Sequence, residues 1–282
     1  MSSLSFKVLK NPIIVTGMHR SGTSMVTRIL KQSGVYHGAY RDANDESWLF
    51  MGLNRILMKK CGLDWDTVVA PGQFALSESQ TERLADFAHR TLRSPLKYLY
   101  LGLRSLRWES INTPWCWKDP RNSITLPIWL KIFPEAIVVN VIRHGVDVAE
   151  SMRVRELWLQ ERFQGRHGMR AGGIFTQWHG RHGGISQVAN VHYGMRLWDT
   201  YNECLKENLS RVPEERSVTV RYEDYLTTPR EVQDRILSVC GLEEVEEIKI
   251  SPDSERAFAY RRKARLLEVA DEYESLLSKW GY

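Results

Sequence analysis

Three observations predict an α/β fold with a central parallel sheet flanked by helices. Short apolar runs of strand length fall near residues 12–17, 115–118, 136–142 and 217–221. Stretches with helical spacing lie between them, and that alternation favours parallel strands joined by crossover helices. No apolar run approaches the ~20 residues that span a bilayer. At 282 residues the chain can bury a substantial core, and residues 1–282 are read as one domain.

The elements follow in order. Pro12-Ile13-Ile14-Val15-Thr16-Gly17 is an unbroken apolar run, as a buried strand requires. A helix is expected from Gly22 to Gln32, with Met25, Val26, Ile29 and Leu30 on one face and Gly34 as its stop. A second helix is expected at about 46–60. Ser79-Gln80-Thr81-Glu82 has the form of a capping box, and Leu84, Phe87, Ala88 and Leu92 continue at helical spacing, which predicts a helix over 79–93. Ala136 to Ile142 reads as another buried strand, with helical periodicity from Gly145 onward. Tyr222, Glu223 and Asp224 follow the last strand and are assigned to capping and packing. Pro229 suits the first position of a helix whose buried stripe is Val232, Ile236 and Val239.

Residues 159–190 break the pattern. They are rich in glycine, histidine and arginine with no clear period, which predicts a long mobile loop or lid. Phe175 and Trp178 favour an acceptor-binding lid over a solvated tether. His167, His179 and His182 are separated by glycines without a fourth ligand, so no zinc site is expected.

Composition narrows the function. The net charge of +5 is spread along the chain, which suits an anionic cofactor rather than a nucleic-acid surface. Met1 to Lys7 lacks the apolar core of a signal peptide, so the cytoplasm is expected, without a membrane partner. Cys61, Cys116, Cys204 and Cys240 are far apart, which indicates neither a disulfide framework nor a zinc knot. Of the ten tryptophans most should be core. Trp48 is the first candidate to stack on a ligand ring.

The chemistry starts at Gly17-Met18-His19-Arg20-Ser21-Gly22-Thr23-Ser24, a glycine-flanked loop between a strand and a helix. Backbone amides and the positive helix end make such a loop an anion cradle. Unlike G-x-x-x-x-G-K-[ST], it has Thr23 where the lysine that reaches the β/γ-phosphates would stand, and its cation, Arg20, lies inside the loop. A ligand shorter than a triphosphate is implied. The strand at 136–142 ends in Arg143, not in a metal-binding aspartate, and Ser151 follows in the second turn of the next helix. A guanidinium and a hydroxyl suit a second phosphate.

At these places the chain resembles the sulfotransferases that use 3'-phosphoadenosine 5'-phosphosulfate (PAPS), in the bacterial-type branch with an arginine in the 5'-phosphosulfate loop. Arg143 and Ser151 match the spacing of that family's 3'-phosphate motif. Trp117-Lys118-Asp119-Pro120-Arg121 resembles its Lys-Asp-Pro-Arg segment, and Val220 to Leu226 its Tyr-Glu-Asp-Leu segment. The resemblance spans residues 12–240 in the family's order. It implies a P-loop-like domain that moves a sulfuryl group from PAPS to a hydroxyl, or an amine, of a small molecule or soluble glycan, leaving 3'-phosphoadenosine 5'-phosphate (PAP), without a metal.

The resemblance also implies site residues. His19, Arg20, Ser21, Gly22, Thr23 and Ser24 would hold the 5' end of the nucleotide, and Arg143 and Ser151 its 3'-phosphate. Arg261 and Arg262 match in position the basic loop that closes over that phosphate. The histidine base of cytosolic members has no counterpart, because Pro120 falls at about its place. Glu46 stands where the glutamate base of other branches is found, with Asp45 beside it. Asp119 is a further candidate, expected to be strongly ionised between Lys118 and Arg121 and therefore a weak base. Those two cations either hold the sulfuryl group or pair with acidic neighbours. The competing readings are a P-loop kinase using ATP and Mg²⁺, disfavoured by Thr23 and Arg143, and a non-catalytic binder of sulfated or phosphorylated glycans, which would need neither Arg20 nor a base.

Overall fold

The structure, a computed structural model, describes residues 11–70, 76–102, 113–164, 186–243 and 253–282. The elements run β1 (Ile13–Thr16), α1 (Thr23–Gln32), α2 (Trp48–Lys60), α3 (Glu78–Arg93), α4 (Tyr98–Leu101), β2 (Cys116–Lys118), α5 (Asn122–Ile132), β3 (Ile137–Ile142), α6 (Gly145–Gln164), α7 (Val191–Leu209), β4 (Ser217–Arg221), α8 (Tyr222–Thr227), α9 (Pro229–Val239), α10 (Ala264–Glu272) and α11 (Glu274–Lys279). The four strands form one parallel sheet in the order β2-β1-β3-β4.

Alternation of side chains across the pleat divides the core. Ile14, Trp117 and Val138 face α2, α3 and α5, while Ile13, Val15, Cys116, Val139 and Val141 face α1 and α9. A third cluster joins α6 and α7 to the C-terminal helices through Val146, Met152, Met195 and Trp198. The expected stripe of α1 is buried, and Gly34 adopts φ 79 just beyond its end.

This topology fixes where a ligand goes. The chain leaves β1 for β2 on one side of it and returns to β3 on the other, so a crevice opens beyond the carboxyl ends of β1 and β3. Thr16 stands opposite Asn140, and Val15 opposite Lys118. The segments leaving β2, β1 and β3 therefore emerge side by side, about 4.8 Å apart per strand.

The structure corrects three expectations. The capping box of α3 is Ser77 with Gln80, two residues earlier than expected: Ser77 Oγ accepts from Gln80 N at 3.2 Å, and Gln80 Oε1 accepts from Ser77 N at 2.9 Å. Ser77, in extended backbone, already stops the helix, which leaves Ser79 inside its first turn. α2 starts at Trp48, so Glu46 precedes it. α6 runs on to Gln164, because residues 146–164 contain no glycine or proline and many strong helix formers. Of the irregular stretch expected over 159–190, residues 159–164 are therefore helical and Gln187–Ala189 form a short 3-10 turn, while 165–185, with Phe175, Trp178, His167, His179 and His182, lie outside the described residues. The four cysteines are free thiols. No helix among the described residues is long and apolar enough to cross a membrane.

Candidate active site

The loop leaving β1 is shaped by residues in left-handed backbone. At Gly17, with φ 135, an added Cβ would lie 2.3 Å from the carbonyl oxygen of Val141 in β3, so only glycine lets the chain turn there. Arg20 and Gly22, at φ 70 and 102, bend the loop into a cup. Gly22 is the N-cap of α1 and no side chain caps that end, which leaves its first amides open to an anion. Ser24 Oγ donates to the carbonyl of Asn44 at 2.9 Å, tying the 41–47 segment to the start of the helix.

Arg20 extends across this cup and donates from Nε to Ser151 Oγ at 3.0 Å. Burial first, then Arg155, Arg143 and Arg256, pull its pKa below the usual arginine value. Arg143 leaves the end of β3 and is held from several sides. Its Nη1 donates to the Arg20 carbonyl at 3.4 Å and its Nη2 to the Arg256 carbonyl at 2.9 Å, Asp147 lies 3.5 Å from Nη2, and the Tyr222 ring lies 4.7 Å beneath the guanidinium. The expected pair, Arg143 and Ser151, meet at Arg20: Ser151 Oγ accepts from the Arg20 side chain, and the Arg20 carbonyl accepts from Arg143.

Glu46 comes from a tight segment: Asp42 Oδ1 accepts from the amides of Asn44 and Glu46 at 2.9 and 2.8 Å, and Arg41 bridges to Ser47. That geometry points the carboxylate inward. Lys118 Nζ donates to Oε1 at 3.0 Å and Arg121 Nη2 to Oε2 at 3.2 Å, while Arg121 Nε donates to Asp119 Oδ1 at 2.8 Å. All four side chains are buried. The polar network beneath them, with Asn122 Nδ2 donating to the Val15 carbonyl at 3.0 Å and Asn54 Nδ2 to Asn122 Oδ1 at 2.9 Å, ties β1 to α2 and α5.

Burial would raise the carboxyl of Glu46, but Lys118 and Arg121 outweigh it and hold the pKa at about 2. Asp119 behaves oppositely: burial raises it and Arg121 only partly offsets that. The expectation that Asp119 is strongly ionised between the two cations is thus reversed, because burial dominates there and Arg121 divides its donors between both carboxylates while Lys118 serves Glu46. Lys118 and Arg121 make the acidic pairs that sequence reading had offered as an alternative to holding a ligand.

One cavity of about 390 Å³ joins these parts, and His19, Arg20, Gly22, Thr23, Ser24, Glu46, Lys118 and Arg143 all line it. Three buried polar atoms around it, Ser21 Oγ, His19 Nε2 and Arg143 Nε, have no partner. Three further cations in its wall, Arg28, Arg155 and Arg256, carry no motif that marked them in the sequence. Arg155 was detectable in principle, since it follows Ser151 by one helical turn and shares its face. Arg261 and Arg262 do not line the cavity: Arg261 lies over the Phe258 ring at 4.5 Å and Arg262 pairs with Glu255 at 3.2 Å. Asp119 and Trp48 are also outside the lining, and Trp48 stacks on Tyr40 with ring centroids 5.9 Å apart.

The profile of the Sulfotransferase family matches residues 12–247. Among solved structures, the sulfotransferase domain from the olefin synthase of Synechococcus PCC 7002 superposes with a TM-score of 0.52 at 14% identity, over 97% of this chain and 98% of that one. The sulfotransferase domain from the curacin biosynthetic pathway gives 0.50 at 13% identity, over 95% and 99%. A sulfotransferase from Alicyclobacillus acidocaldarius gives 0.50 at 16% identity, over 96% and 97%. These similarities establish a shared fold. A comparison with curated protein sequences gives no significant match.

Proposed function

Because this chain belongs to the sulfotransferase family, we propose that it transfers a sulfuryl group from PAPS to a hydroxyl, or an amine, of a small molecule or soluble glycan and releases PAP. One observation carries the reading: Arg20 and Arg143, from the ends of neighbouring strands, share a single cavity. A nucleotide with an anion at each end suits that arrangement. The unpartnered Ser21 Oγ and Arg143 Nε and the uncapped start of α1 supply the donors such a ligand needs.

The residues divide the work. Gly22, Thr23, Ser24 and the amides opening α1 hold the 5' end, and Arg143, joined by Ser151 and Arg256, holds the 3'-phosphate. PAPS supplies an activated sulfuryl group on a phosphate oxygen. Arg20 meets the negative charge that collects on that oxygen as its bond to sulfur breaks, a role for which one preorganised donor is worth about 2.7–4 kcal/mol. Glu46 faces the acceptor and receives its proton. Its low pKa suits a late transfer, because an acceptor oxygen already bonded to sulfur is far more acidic than a free alcohol. Lys118 and Arg121 fix the Glu46 carboxylate in place.

The test is transfer of labelled sulfuryl groups from PAPS to a panel of alcohols, phenols, amines and oligosaccharides. Appearance of labelled product together with PAP supports the proposal. Labelling from γ-labelled ATP and Mg²⁺ instead, with none from PAPS, would establish a kinase.

A further inference from the structure

The cations of the cavity wall differ in whether a carboxylate already holds them. Arg143 has Asp147, Arg256 has Asp253, Arg28 has Asp45 and Lys118 has Glu46. Arg20 has Ser151 and, on the reading above, the leaving oxygen. Arg155 has no carboxylate within ion-pair reach among the described residues, although it lines the cavity and is partly buried. A partly buried guanidinium left uncompensated costs stability unless an anion completes it.

The placement of Arg155 shows which ligand that anion belongs to. It lies one turn of α6 beyond Ser151, about 6 Å further along the helix. After burial, its strongest electrostatic neighbour is Glu46, the carboxylate assigned to the acceptor's proton, and Arg155 is in turn the strongest charge acting on Arg20, so it stands beside the point of transfer. It also lies 5.8 Å over the ring of Trp65. The same ring meets the imidazole of His19 edge-on at 5.0 Å. His19 is 8% exposed, lines the cavity, and has no partner for Nε2. Burial holds that imidazole neutral, so it offers a hydrogen bond without adding charge.

Resting on the sulfotransferase reading, we infer that Arg155, His19 and Trp65 form an acceptor subsite selective for an anionic group, a carboxylate or an ester of sulfuric or phosphoric acid, carried near the hydroxyl that is modified. The planar fork of arginine matches two oxygens of such a group at once. Trp65 gives the body of the acceptor a flat wall, and His19 Nε2 satisfies a neighbouring polar atom.

The experiment uses the intact protein saturated with PAP, so that the nucleotide anion sites are filled. Two probes share a ring and a hydroxyl and differ in charge, 4-hydroxybenzoate and its methyl ester, and their binding is read by thermal shift against the wild type, Arg155→Gln and Arg155→Lys. The wild type should bind the acid about tenfold or more tightly than the ester, as expected for a charge-assisted pair. In Arg155→Gln the two probes should bind within about twofold of each other, with the PAP shift retained, and Arg155→Lys should keep part of the preference. Equal binding of acid and ester by the wild type, or an undiminished preference in Arg155→Gln, overturns the inference. Absence of any PAP shift in the wild type would instead remove the nucleotide reading, and the subsite with it.

Discussion

Arg20 Nε donates to Ser151 Oγ at 3.0 Å across 131 residues of sequence, so a single hydrogen bond links the loop after β1 to the helix after β3. Arg143 closes the link by donating to the Arg20 carbonyl. The two halves of the proposed nucleotide site are mechanically joined, and neither arginine can be displaced without disturbing the other.

This relationship predicts that Ser151→Ala affects both ends. Loss of the hydroxyl should weaken PAP by about 0.5–1.5 kcal/mol and lower turnover further, because Arg20 loses the contact that aims it. Calorimetry with PAP and steady-state rates in the same variant check this. A normal rate with weakened PAP would confine Ser151 to the 3' end.

Glu46→Gln should retain PAP affinity while turnover falls by a factor of about 100 or more, the usual scale of general-base catalysis. It should also destabilise the protein by about 3 kcal/mol, since Lys118 loses its buried carboxylate. Denaturant unfolding and single-turnover rates separate the two effects. Unchanged turnover would point to Asp45 or Asp119 as the base.

The pKa of Glu46 gives a sign for acid sensitivity. The folded value, about 2, lies below the ordinary 4.5, so the unfolded chain takes up the proton first. The stabilisation is full above the ordinary value and fades as pH falls from there toward about 2. The Tm of the wild type should therefore drop faster over that window than the Tm of Glu46→Gln. Parallel curves would mean that the carboxylate is not held by its cations.

Gly22→Ala should fail for two reasons. Its Cβ would lie 2.3 Å from the Tyr222 ring, and φ 102 is strained for any side chain. A loss of about 1–3 kcal/mol from strain alone is expected, with nucleotide binding impaired because α1 opens at this residue. Gly34→Ala is the control: φ there is also positive, at 79, but nothing lies within 4 Å of its Cβ. Stability equal to the control's would remove the steric part of the argument.

Much of this was legible in the sequence for physical reasons. Strands buried on both faces, such as Ile137–Ile142, must be continuous apolar runs, and a glycine-flanked loop opening a helix announces an anion site. Glu46 was found only through family resemblance, since no periodicity marks a carboxylate that a loop turns inward. Arg256 was missed because its role depends on which surface the 253–262 segment shares, a tertiary relationship with no local signature, whereas Arg155 carried a local one, its place one helical turn after Ser151. Asp119 was misjudged because nearby charge alone was weighed, whereas burial dominates at a site with 0% exposure. The capping box was misplaced because Ser77-Glu78-Ser79-Gln80 offers two serines and the earlier one closes the helix.

The central claim is that Arg20 and Arg143 grip opposite ends of one nucleotide. The direct measurement compares PAP with adenosine 5'-monophosphate, which lacks the 3'-phosphate, by calorimetry on the wild type and on Arg143→Ala. The substitution should cost PAP about 1.5–3 kcal/mol and the monophosphate clearly less, since only the lost contact to the Arg20 carbonyl reaches the 5' end. Equal losses for both nucleotides, or none for PAP, would contradict it.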